Sequence, residues 1–249
     1  MNQSTAYGWL MLGGICISVV LWQRVARRDA RLFYIYLGAL GGAFFGAKIV
    51  YLAAEGWLRW HDQNRWVELA TGKTIIGGLL GGYAGVEIVK KLVGYKSPTG
   101  DWFALIAPVG IMLGRIGCWL HGCCQGVRCS ASWYTIQDSK GVDRWPSVPA
   151  EILFNVLALC TVVYMRRKRT LAGQHFHIYL IAYGVFRFFH EFIREEPRLF
   201  RQISGYQVAA LAVAVLGAWG FLRRRRAATA DGTGSRAPAE VRFSESGVE

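Results

Sequence analysis

Long apolar runs separated by short charged stretches divide the chain into about seven segments, roughly 6–23, 32–54, 74–92, 102–120, 148–165, 176–193 and 205–222. A run of about 18 or more apolar residues can cross a hydrocarbon layer of about 30 Å as a helix. The pattern therefore predicts an all-α, polytopic membrane protein with about seven transmembrane helices. Inside two of the runs a second period appears: Gly38, Gly42 and Gly46, then Gly77, Gly81 and Gly85, recur every four residues. That spacing lines small residues along one helix face and lets two backbones approach closely, so the plain reading is helix packing. No repeat of 20–50 residues accompanies it.

Composition agrees with the pattern. Of 249 residues 53% are hydrophobic and 18% charged, with 10 Trp, 30 Gly and a mean hydropathy of +0.25. Disordered, collagenous and small disulfide-scaffold classes are excluded on those grounds. A net charge of +13 raises the question of nucleic acid, but the cations punctuate apolar segments instead of gathering with aromatics on a soluble domain. No nucleic-acid partner is expected. Alternate connections differ in sign: Arg24, Arg27, Arg28 and Arg31, then Lys90, Lys91 and Lys96, then Arg166, Arg167, Lys168 and Arg169, and finally residues 223–226 are basic, whereas the others carry Glu55, Asp62, Glu68, Asp138, Asp143, Glu195 and Glu196. The positive-inside rule then sets the N-terminus outside and the C-terminus inside, as an odd number of spans requires. Residues 1–5 hold no Lys or Arg, so the first apolar run reads as a retained helix instead of a cleaved signal. One membrane domain over 1–226 is expected, followed by a polar, disordered cytoplasmic tail over 227–249.

Ions within the spans narrow the chemistry, because a charge in the bilayer core costs several kcal/mol and normally faces a protein interior or a wet cavity. Lys48, Arg115, Glu151, Arg187 and Glu191 fall in the outer half of the membrane under this topology, on four different helices. One shared cavity is expected. Tyr183, Arg187, Glu191 and Arg194, spaced by four, four and three residues, share a helical face; an intrahelical pair that merely helps packing is the bland alternative. Glu87 is assigned to an ion pair with Lys90 and Lys91. Lys48, Arg115, Arg187 and Arg194 outnumber Glu151 and Glu191, so the expected ligand is an anion. At that depth a phospholipid head group is the natural one, its phosphate suiting the guanidinium fork.

Residues 114–126 read GRIGCWLHGCCQG, with Cys129 close behind. The glycines would admit a ligand or a neighbouring backbone. A disulfide staple is one reading of Cys118, Cys123, Cys124 and Cys129 on an oxidising face, and a working thiol set is another. Metal ligation is disfavoured because the spacing lacks a C-x-x-C pair, so no metal site is assigned. Cys16 and Cys160 lie in apolar spans and are expected to pack as small hydrophobes. His61 is assigned to interface anchoring and His175 and His177 to solvent or head-group contacts, while His121 and His190 stand near the expected site.

GRIGCWLHG at 114–122 resembles the signature of the bacterial prolipoprotein diacylglyceryl transferase family, and YGVFRFFHEFIR at 183–194 resembles its late helix. Gly46-Ala47-Lys48 is similar to the family's Gly-Ala-Arg element, Gly77-Gly78-Leu79 to its Gly-Gly-Leu turn, and Pro146-Ser147 with Glu151 to its Pro-Ser/Thr-Gln-Leu-Tyr-Glu stretch. The resemblance runs from the second span to Gln207. Departures are Ile76 for the His before Gly-Gly-Leu, Cys118 and His121 for signature Asn residues, Cys123 for a Glu, and Ala150 for a Tyr. Those cysteines mark a divergent branch. The resemblance implies transfer of a diacylglyceryl group from phosphatidylglycerol to the lipobox cysteine of a prolipoprotein signal peptide, in the bacterial inner (plasma) membrane, with no cofactor. Arg115, Arg187, Glu191 and Tyr183 would be catalytic, and Lys48, Gly77, Gly78, Gly114, Gly117, Cys118, His121, Gly122, Glu151, His190 and Arg194 would bind substrate. A lipid-binding paralogue, suggested by Ile76, and a membrane thiol-redox protein remain as alternatives.

Overall fold

A computed structural model of the chain describes residues 29–59, 72–195, 197, 198 and 203–230, with positions 12–14, 16, 18–20, 22 and 23 of a first helical stretch and residues 66 and 69. Residues 1–5, Arg24, Arg27, Arg28, His61, Glu196 and the tail from 231 lie outside the described residues. The order is α1 (Arg31–Ala54), a 3-10 turn (Gly56–Arg59), α2 (Ile75–Leu92), α3 (Gly100–His121), a hairpin of β1 (Ile136–Gln137) and β2 (Asp143–Arg144), α4 (Ser147–Arg167), α5 (His175–His190), a second 3-10 turn (Glu191–Ile193) and α6 (Gly205–Ala230). Four of these, α1, α3, α4 and α6, are long and apolar enough to cross a membrane. By contrast α2 carries Glu87, Lys90 and Lys91, and α5 has only 16 residues. The last helix continues past residue 226, the expected edge of the membrane domain, to Ala230.

Local chemistry sets several helix ends. Asp29 accepts the Arg31 backbone N–H at 2.9 Å and pairs with its side chain at 2.7 Å, which starts α1. Gly122, in the left-handed region at φ 69°, ends α3 where a Cβ would be strained. Side-chain contacts fix the antiparallel succession. Tyr206 donates to Glu55 at 2.7 Å and Ser147 to the Cys124 carbonyl at 2.8 Å at one end. At the other, Asp101 accepts the backbone N–H groups of Gly173 at 2.5 Å and His175 at 3.1 Å. Large side chains such as Phe44, Phe45, Ile49, Leu153, Leu157, Val208 and Leu211 face outward, an apolar girdle suited to lipid.

The glycine stripes of α1 and α2 pack against each other. A Cβ on Gly42 would overlap the Gly81 carbonyl, and one on Gly81 the Gly42 carbonyl, with Gly46 and Gly77 in the same relation. Backbone cannot yield as a flexible side chain can, so overpacking here costs about 1–3 kcal/mol or more. Gly42→Val is therefore expected to lower the thermal midpoint of the detergent-solubilised protein, while Gly41→Ala, which meets nothing within 4 Å, leaves it unchanged. Equal midpoints for the two would refute the close-packing account.

Two expectations need correction. His175 and His177 are buried: His175 Nδ1 lies 3.2 Å from Asp101 and its Nε2 2.8 Å from the Thr170 carbonyl, while His177 Nδ1 is 2.8 Å from Gln174. They lock the α5 start instead of meeting solvent because α3 covers that end. Cys16 and Cys160 are exposed on outward helix faces instead of packed inside.

Candidate functional site

Two buried ionic groups form where α3, α4 and α5 come together. Arg115, near the end of α3, forms an ion pair with Glu151 of α4, its Nε 2.9 Å from Oε2. Glu151 is wholly buried and its other oxygen accepts the Tyr183 hydroxyl of α5 at 2.8 Å. Below it Asn155 donates to the Glu151 carbonyl and accepts from Tyr179, both at 2.8 Å. This ladder joins three helices. The second group is local: Glu191 Oε2 lies 2.5 Å from Arg187 Nη1 and 3.8 Å from Arg194 Nε, and its other oxygen accepts the Ser204 hydroxyl at 3.2 Å. The predicted sixth helix, expected through residue 193, stops at His190 and tightens into the 3-10 turn; Arg194 is extended and bridges to Gly126. Tyr183, Arg187, Glu191 and Arg194 nevertheless all remain buried on one side.

A cavity of about 1560 Å³ runs between these groups and the α1–α2 pair, larger than the roughly 300–1,000 Å³ of most small-molecule sites. Small and apolar residues of α1, α2 and α3, such as Ala39, Ala43, Gly82 and Ile106, line its middle, with Glu87, Lys90 and Arg224 at the far end. Arg115, Arg187 and Arg194 line its near end, whereas Glu151 and Glu191 stand behind them. In these two groups the guanidiniums face the space and Glu151 and Glu191 hold them from the rear, although Glu55, Asp138 and Glu195 also line the cavity. Arg187 Nε, fully shielded from solvent, has no hydrogen-bond acceptor among the described residues, and a buried donor of that kind calls for a partner.

Gly78, Gly114, Cys118 and Gly122 also line the cavity. Other expected contacts do not. Lys48 turns away, donating to the Gly72 carbonyl at 3.3 Å with its ammonium 5.6 Å from the Tyr51 ring centroid, because its face of α1 looks at the connection to α2. Gly77 is spent on packing against Gly46, and Gly117 is buried inside α3 away from the space. His121 is exposed at the helix end. His190 is buried with its ring stacked on Phe186 at 4.9 Å, outside the cavity lining. Ile76, the residue in the family's His position, belongs to the apolar core with Leu79, Tyr183 and Tyr206. Glu87 pairs with Lys90 at 3.3 Å as expected, although Lys90 is buried instead of solvated.

The connection from α3 to α4 supplies residues that sequence reading missed. Arg144 of β2 is buried, lies 2.7 Å from Asp138, donates to the Gly126 carbonyl at 3.2 Å and pairs with Glu195. Arg144 and Asp138 both line the cavity. Arg144, followed by the Val142 N–H, holds the Asp138 carboxyl down at about 2, so this clasp stays ionic at any ordinary pH. The loop acids read as diluted surface charge because nothing in their spacing announces a hairpin.

All six cysteines are free. The staple considered for Cys118, Cys123, Cys124 and Cys129 is not formed: Cys118 and Cys124 sulfurs stand 3.9 Å apart, and Cys123 Sγ lies 3.6 Å from the Cys118 carbonyl.

A family profile described as prolipoprotein diacylglyceryl transferase matches residues 3–223. The phosphatidylglycerol–prolipoprotein diacylglyceryl transferase 2 of Clostridium perfringens is 28% identical over 207 residues, 78% of this chain and 80% of the relative. The phosphatidylglycerol–prolipoprotein diacylglyceryl transferases of Clostridium tetani and Rhizobium meliloti are 24% and 27% identical, covering 86% and 90% of this chain and 91% and 85% of their own lengths. By the extent of that match, the chain belongs to the prolipoprotein diacylglyceryl transferase family.

Proposed function

We propose that the chain transfers a diacylglyceryl group from phosphatidylglycerol to the lipobox cysteine thiol of a prolipoprotein, the first step of bacterial lipoprotein maturation. The observation that carries this reading is the row of Arg115, Arg187 and Arg194 at one end of a bundle-length cavity, each backed by a buried carboxylate. Acyl chains suit the small, apolar walls and the phosphate suits the guanidinium row. The names of the relatives point to the same pair of substrates.

In the reaction the incoming thiol, most nucleophilic as thiolate, attacks the glyceryl carbon bonded to the phosphate oxygen. A C–S bond forms, that C–O bond breaks, the thiol proton passes to the freed phosphate oxygen and glycerol phosphate departs. Charge grows on the leaving phosphate, and donors already aimed at it lower the barrier. Arg115 and Arg187 are the clamp. Glu151 and Glu191 hold them, Tyr183 holds Glu151, and Arg194 completes the row. The positive field of the row favours the thiolate, and the departing phosphate is the acceptor for the thiol proton. Gly78, Gly114, Cys118 and Gly122 form the wall beside the head group.

Seven spans, an outer N-terminus and an inner C-terminus complete the reading, with residues 1–226 in the inner (plasma) membrane and 227–249 in the cytosol. It is supported by the gathering of Lys90, Lys91, Arg166, Arg167 and residues 223–226 at the end opposite the guanidinium row. Lipid and signal peptide enter sideways from the outer leaflet, since the lipobox lies at the end of an apolar signal helix. Incubating purified protein with phosphatidylglycerol and a lipobox peptide is expected to add the diacylglyceryl mass to the peptide. Folded protein that retains the lipid and makes no thioether would instead be a lipid-binding paralogue.

A further inference from the structure

The sulfurs of Cys118, Cys123 and Cys124 lie within 4.8 Å of one another at the cavity wall; in the transfer above Cys118 serves only as wall and none of the three sulfurs has a bond to make. Their sequence spacing hides this, since four residues separate the first from an adjacent pair. Two left-handed residues bring them together: Gly122 at φ 69° reverses the chain after α3, and Cys124 at φ 63° turns it again. A left-handed conformation is uncommon for a residue with a Cβ. The turn is held from both sides, by the Cys123 N–H on the Cys118 carbonyl at 3.1 Å and by the Ser147 hydroxyl on the Cys124 carbonyl at 2.8 Å.

We propose that these three thiolates bind one Cu(I) ion. Sulfurs about 2.3 Å from a shared metal stand roughly 3.8–4.0 Å from each other in tetrahedral or trigonal arrangement, and Cys118 and Cys124 are already 3.9 Å apart. An all-sulfur set selects soft cations over Mg²⁺, Ca²⁺ or Mn²⁺. Three ligands with no fourth among the described residues favour Cu(I) over Zn²⁺, which takes four in structural sites. Each thiol loses its proton on binding. The resulting anionic complex sits beside Arg115, whose Nη1 is 3.9 Å from Cys118 Sγ, so its charge is compensated. Cys129, outside the trio, takes no part.

The test uses the full chain in detergent, reduced and kept free of oxygen, titrated with Cu(I) against a chromophoric chelator. One equivalent is expected to leave the chelator, and X-ray absorption should show about three sulfurs near 2.2–2.3 Å. Cys118→Ser, Cys123→Ser and Cys124→Ser are each expected to lose the ion to the chelator, while Cys129→Ser keeps it. Failure of the wild type to take one equivalent, nitrogen or oxygen neighbours in place of the sulfurs, or retention of the ion by Cys124→Ser would each overturn the proposal. Binding is read without turnover, so an active enzyme that ignores copper defeats this inference alone, and an inactive protein that binds it leaves the site standing.

Discussion

Arg187→Ala, expressed at the wild-type level, is expected to abolish diacylglyceryl transfer to a model prolipoprotein. Removing one preorganised charge-stabilising donor typically costs about 10²–10³ in rate, or roughly 3–4 kcal/mol of barrier. At this position the loss falls at the upper end, because Arg187 lines the cavity with a buried Nε that no described residue satisfies. The fold should survive: Glu191 keeps the Ser204 hydroxyl at 3.2 Å and Arg194 at 3.8 Å, so its charge is not stranded. Arg187→Lys retains the charge but not the planar fork that grips two phosphate oxygens, and an intermediate rate is expected. Mass spectrometry of the product, with lipid retention measured in parallel, separates the outcomes. Full activity in the alanine variant would remove Arg187 from the clamp.

Glu151→Ala is expected to fail differently, by losing stability as well as activity. The carboxylate is wholly buried, 2.9 Å from Arg115 and 2.8 Å from the Tyr183 hydroxyl. Taking it away leaves a buried guanidinium and a buried hydroxyl without their partner, a change that costs about 3–5 kcal/mol. Burying the pair in the first place contributes little, because desolvation offsets much of the attraction; the penalty comes from stranding one half. Glu151→Gln keeps an acceptor for Tyr183 and the same volume, so it should unfold at a temperature between the other two while Arg115 still loses its anchor. Thermal unfolding in detergent gives the order. If Glu151→Ala melts with the wild type, the ladder from α3 to α5 is not holding the site.

The glutamine and alanine variants also separate two roles for Tyr183. The family resemblance places it among the catalytic residues; in the fold its hydroxyl is committed to Glu151. Its contribution is therefore to position Arg115 through that carboxylate. Spacing of four, four and three residues did predict that Tyr183, Arg187, Glu191 and Arg194 share a face, because helical periodicity is local. It could not foresee the 3-10 turn after His190, which keeps Arg194 alongside Glu191 although the regular helix has ended. Lys48 shows the opposite failure. Its depth in the membrane was read from sequence, but depth says nothing about rotation about the helix axis, and α1 turns it toward Gly72.

The largely helical fold, the approximate positions of the helices from Arg31 onward and the tight α1–α2 seam were legible in the chain itself. Each depends on neighbours within a few residues: apolar length, charge density between segments, and a glycine every fourth position. Which carboxylate stands behind which guanidinium, that three cysteines close on one point, and that Arg144 clasps Asp138 and Glu195 were decided only by tertiary structure. Those contacts join side chains from separate helices and a hairpin, and their partners are set by how the elements pack and rotate, which no local period encodes.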